Sequence, residues 1–110
     1  MTVELGRRVT VLKMACQHLL LRPDDVLVRK SLARTIASTE LTASPDDSAF
    51  VRGLVDEVRA HADSLAFRLE GAGYDCLHIS ARTALLCQVL AALKLQLRTG
   101  TGEAPAGGLN

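Results

Sequence analysis

Tryptophan is absent from this chain, and Phe50, Phe67 and Tyr74 are its only aromatic residues. A core must therefore be assembled from Leu, Val, Ile and Ala, which suits helix ridges fitting into helix grooves. Without aromatics interleaved among basic residues there is no base-stacking platform for single-stranded nucleic acid. A surplus of one charge is also missing. Thirteen basic residues face twelve acidic ones, for a net charge of +1. Phosphate neutralisation supplies most of the affinity of nucleic-acid binders, so near-neutrality argues against that class.

Long apolar runs are missing as well. The longest, Ala84 to Leu93, is broken by Gln88, whereas a membrane-spanning helix needs about 20 apolar residues. The start of the chain carries early charges and no apolar stretch of signal-peptide length. These features predict a protein that does not span a membrane. The three cysteines, Cys16, Cys76 and Cys87, form no even, regularly spaced framework. Cys76 and Cys87 would stand about 16 Å apart along one helix, beyond disulfide reach. Free thiols in a reducing cytoplasm are the expectation. No phosphate-binding loop, dinucleotide fingerprint, zinc-protease motif or nucleophile elbow occurs.

What is present is apolar residue content of 48% over 110 residues, enough for one domain and one core. Its spacing is helical. Leu5, Val9, Leu12, Cys16 and Leu19 recur at intervals of four and three, predicting a helix over residues 2–21. Pro23 interrupts it, and Asp24 and Asp25 suit the positive N-terminus of a second helix over 24–41, with Val28, Leu32 and Ile36 inward. Ser44-Pro45-Asp46-Asp47 offers Ser44 as N-cap and Pro45 as first helical residue of a third helix over 45–70. Its inward stripe is Val51, Val55, Val58, Ala62, Leu65 and Leu69. Arg52–Asp56 and Arg59–Asp63 are spaced for ion pairs on a solvated face. Gly71-Ala72-Gly73 supplies a C-cap, and Asp75 can cap a fourth helix over 74–98.

The fourth helix differs from the others. Ile79, Leu86, Leu90, Leu93 and Leu97 form one stripe, while Leu77, Ala84, Leu85, Val89, Ala91, Ala92 and Leu95 cover most of the remaining circumference. A helix apolar all round is expected to be enclosed all round. The last residues, TGTGEAPAGGLN, are small and Gly-rich, predicting a flexible tail. The resulting architecture is all-α, a compact four-helix bundle of up-down antiparallel type over 1–98, with a tail over 99–110.

Candidate chemistry is sparse. Cys16-Gln17-His18 and Cys76-Leu77-His78 share the pattern C-x-H. Residues i and i+2 lie about 200° apart on a helix, so neither pair converges on a metal by itself. No metal site or cofactor is predicted. Cys76, near a helix N-terminus, is a candidate nucleophile. His61, four residues after Glu57, lies at the edge of an apolar stripe. A histidine so placed on a bundle of this length resembles the way histidine-phosphotransfer domains present their reactive imidazole. That family places Lys and Gly soon after the histidine, whereas Ala62, Asp63, Ser64 and Leu65 follow here, so the resemblance is one of architecture. Arg29, Lys30 and Arg34 make a small basic face on the second helix.

Two functional expectations follow. The first is a non-enzymatic interaction module, an adaptor, regulator or small chaperone-like protein. It would act through apolar helix surface at Leu85, Val89, Ala92, Leu95 and Phe67, on a protein partner or a second copy. The alternative is a signalling bundle of phosphotransfer type using His61, or a Cys/His-based site.

Overall fold

The computed structural model describes residues 2–70 and 75–100, with side chains from 4 to 70 and from 75 to 98. Four helices account for most of this: α1 (Thr2–Leu21), α2 (Val26–Ser38), α3 (Ala49–Glu70) and α4 (Cys76–Gly100). Each packs on the next, and α4 closes the ring against α1. The diagonal pairs, α1 with α3 and α2 with α4, do not pack directly. Three interactions between neighbouring elements fix the directions. The Arg8 guanidinium near the start of α1 donates to the Glu40 carbonyl just beyond α2, at 2.8 Å. The Cys76 thiol, at the start of α4, donates to the Pro23 carbonyl beyond the end of α1. Arg82 early in α4 donates to Ser64 Oγ late in α3. Neighbours therefore run antiparallel, giving the up-down bundle that the periodicity predicts.

The expected inward stripes form one core. Val9, Cys16, Leu19, Val58, Leu86, Leu90 and Leu93 have no exposed surface. Burying one such aliphatic side chain is worth about 1.5–3 kcal/mol, so these layers hold the bundle together. Thr83 is the one polar side chain buried among the described residues. Its hydroxyl donates to the Ile79 carbonyl one turn back at 2.7 Å, so no buried hydroxyl is left unsatisfied.

The ends of α2 and α3 depart from the sequence expectation in three places. Helix α2 starts at Val26, because Asp25 is the cap: its carboxylate accepts from the amides of Leu27 and Val28. At its other end α2 stops at Ser38 instead of reaching residue 41. A continued helix would turn Leu41 about 140° away from Ile36. Leaving the helix at Thr39, which is extended, lets Leu41 reach the core, where it is 6% exposed. Helix α3 starts at Ala49, four residues later than residue 45. Ser44 and Asp47 are already engaged with each other, since the Ser44 amide donates to the Asp47 carboxylate and the Asp47 amide to the Ser44 carbonyl. Ser48 takes the capping role by accepting from the Val51 amide. Arg52, expected to pair with Asp56, reaches back to the carbonyls of Pro45 and Asp47 and ties down this turn. Asp75 caps α4 as expected.

The fourth difference concerns α4. Among the described residues it packs only on α1 and α3, which leave its far side open. A helix at the corner of a four-membered ring has two neighbours, which cover roughly half of its circumference. The glycines 71 and 73 expected to cap α3, Tyr74 and the tail lie outside the described residues, except that Thr99 and Gly100 continue α4.

Replacing Leu90 with Ala should destabilise the bundle by about 2–5 kcal/mol in urea unfolding; a change below about 0.5 kcal/mol contradicts its central position. Ser48→Ala should lower stability by about 1 kcal/mol through loss of the cap.

Candidate interaction surface

The inner stripe of α4 is spent on the core, and its other side carries Leu77, Ala81, Ala84, Gln88, Ala91 and Leu95. These residues follow one another at spacings of four, three, four, three and four. That alternation keeps them on one line along the helix, about 27 Å long from Leu77 to Leu95. Leu77 is 85% exposed and Leu95 56%. Ala81, Gln88 and Ala91 are exposed and Ala84 is half-buried. No charged side chain stands on the line. The span Cys76–Arg98 is long and apolar enough to cross a membrane, with mean hydropathy 1.5, yet only 28% of its most apolar window is buried in the bundle. A core helix of this hydropathy would be mostly covered. The outward side of α3 shows the usual contrast, with Arg52, Asp56, Arg59 and Asp63 facing solvent.

The residues expected to bind a partner are only partly brought together. Leu85, half exposed, and Ala92 flank the line, and Leu95 lies on it. Val89 is half-buried and rests on the core. Phe67 is 81% exposed but belongs to α3, nine residues from Val58 and so opposite that helix's core stripe. It forms no part of the α4 strip. Sequence reasoning named Leu77 as apolar without placing it on the surface. The heptad-like spacing of Leu77, Ala81, Ala84, Gln88, Ala91 and Leu95 was the signal.

The chemical candidates stand apart from one another. His61 is half-buried on the flank of α3, with no hydrogen bond or ion pair to Glu57 among the described residues. His78 accepts from Arg82 Nε at 3.0 Å, a contact one turn along α4. Cys76 is half-buried, and its thiol faces the Pro23 carbonyl. His18 is exposed while Cys16 is fully buried. Among the described residues no three His, Cys, Asp or Glu side chains are grouped so as to hold a metal. Arg29, Lys30 and Arg34 line an open groove of about 600 Å³ between α2 and the end of α3, floored by Ala33, Ala37 and Leu69 and closed by Glu70.

One pair was missed by reasoning within single helices. Cys16 on α1 and Cys87 on α4 lie close enough across the α1–α4 seam for each thiol to act on the ionisation of the other. Interaction with Cys87, and then burial, push the Cys16 thiol up. Interaction with Cys16 pulls the Cys87 thiol below the ordinary cysteine value, assisted by the Lys13 ammonium and opposed by partial burial. The less buried Cys87 is the sulfur that gives up its proton first.

Comparison with family models, curated proteins and solved structures found no match for this chain.

Because the Cys87 pKa is lowered in the folded protein, its thiolate is present at lower pH than that of an ordinary cysteine. Its alkylation rate in native protein should rise through a midpoint below that of an unfolded control, while Cys16 reacts only after unfolding. Cys16→Ala removes this neighbour and should move the Cys87 midpoint upward. An unchanged midpoint would show that Cys16 does not set it.

Proposed function

We propose that this protein is a non-enzymatic helical interaction module whose working surface is the outward face of α4, occupied by a second copy of the chain. The observation that carries this reading is the uncharged strip from Leu77 to Leu95. A soluble bundle helix normally turns charge toward water, as α3 does, and contiguous exposed apolar surface marks a contact site.

The strip is arranged to match itself. Leu77 and Leu95 stand nine residues to either side of Leu86, Ala81 and Ala91 five, and Ala84 and Gln88 two. A two-fold axis level with Leu86 therefore sets Leu77 against Leu95 of the second copy, Ala81 against Ala91, and Ala84 against Gln88. In an isologous contact every pairing occurs twice, so a strip with this symmetric spacing can pair with its own copy. Small residues in the middle let the helices approach closely, and leucines close both ends. Leu85 lies beside the axis and faces its own counterpart. A lipid bilayer is the competing occupant for an apolar helix of this length. Inserting α4 would withdraw Leu86, Leu90 and Leu93 from the core, where they are fully buried. Three free thiols accord with a reducing, cytoplasmic setting.

Light scattering of the wild type should give twice the chain mass of 11.8 kDa. Ala81→Glu and Ala91→Arg each place a charge in the contact, at positions exposed in the single chain, so each should yield a folded monomer by circular dichroism and mass. The double variant sets Glu against Arg twice and should recover the dimer. A wild type that stays monomeric at its highest soluble concentration, or that sediments with phospholipid vesicles instead, overturns the reading.

A further inference from the structure

We propose that Cys16 and Cys87 form a thiol–disulfide site that joins α1 to α4 and is oxidised by small-molecule disulfides. The placement follows from the bundle. At one end of the α1–α4 pair the Cys76 thiol meets the Pro23 carbonyl. Counting back along α1 from Pro23 and forward along α4 from Cys76, the antiparallel register brings Cys16 to the level reached by Cys87 within about one turn. Both sulfurs face the seam: Cys16 belongs to the core, and Cys87 is packed against that core from its edge. Neither is in a disulfide, and the two thiols lie close enough to act on each other's ionisation.

The two members have unequal access, which divides the work. Cys16 has no exposed surface, whereas Cys87 is half-buried with the Lys13 ammonium close enough to favour its thiolate. Cys87 is therefore the attacking sulfur. Its thiolate attacks one sulfur of a disulfide R–S–S–R, whose S–S bond breaks. One R–S⁻ leaves and takes a proton, and Cys87 is held as a mixed disulfide. Cys16 then gives up its proton, and its sulfur attacks that of Cys87. The second R–S⁻ departs and takes this proton. The small disulfide is reduced to two R–SH, and the cysteine pair is oxidised to one inter-helix disulfide. Cys76, whose thiol is directed at Pro23 at the far end of α4, takes no part.

The probe is oxidised glutathione, added to the folded full-length chain. The intact mass should fall by two hydrogens, and peptide mapping should join the Cys16 and Cys87 peptides within one chain. The thermal midpoint should rise, because the cross-link closes a long loop, and return on adding dithiothreitol. Cys76→Ser should behave as the wild type. Cys87→Ser, a change at a half-buried position, should lose the internal link. Ala91→Arg, monomeric if the α4 dimer exists, should still form it, so this test does not depend on the dimer. A persistent glutathione adduct on Cys87, a link through Cys76 or between two chains, or no change in mass would each overturn the proposal.

Discussion

Leu86, Leu90 and Leu93 carry no exposed surface because α4 lies in the trough between α1 and α3. Both neighbours meet α4 along most of its length, whereas α2, the shortest helix, is held between α1 and α3 on the other side. Removing α4 would uncover the inner stripes of two helices at once. The remaining features depend on that seat. It sets the antiparallel register that brings Arg82 to Ser64 and Cys87 to Cys16, and it decides which side of α4 is left outward.

The connections serve the same packing. The starts of α2, α3 and α4 are each closed by a short polar side chain, Asp25, Ser48 or Asp75, that satisfies amides the helix itself cannot. The ten residues between α2 and α3 are kept in place by Leu41 in the core and by Arg52 on the turn before α3. Hydrogen-bonding capacity that reads as surface ion pairing in the sequence is thus used to fix loop geometry. Among the described residues the ion pair is Glu4–Arg8, between exposed side chains one helical turn apart, a contact of small energetic weight.

The proposed function is read from what the seat of α4 leaves over. The inner side of the helix is committed to the core, and the outer side carries an uncharged strip with two-fold symmetry in its spacing. The seam with α1 holds two thiols of opposite character. These features are independent: the strip faces away from the bundle, whereas the sulfurs lie at its edge. Both are properties of α4, the helix whose composition departs furthest from that of an ordinary solvated bundle helix.

The sequence by itself determined the fold class and the inward stripes, because apolar spacing at intervals of three and four admits one burial direction per helix. Leu5 to Leu19, Val28 to Ile36, Val51 to Leu69 and Ile79 to Leu97 all lie inward as their spacing requires. The Asp75 cap was legible for the same local reason. The cap expected at Ser44 falls four residues too early, because the Ser44 amide is taken by the Asp47 carboxylate and Ser48 closes α3 instead. The tertiary structure alone decided that α4 is half uncovered. An apolar circumference tells how much surface a helix would bury, but the number of neighbours is set by the ring of four. It also decided that Cys16 meets Cys87, because residues on separate helices are joined only by the register of their packing, to which spacing within either helix is blind.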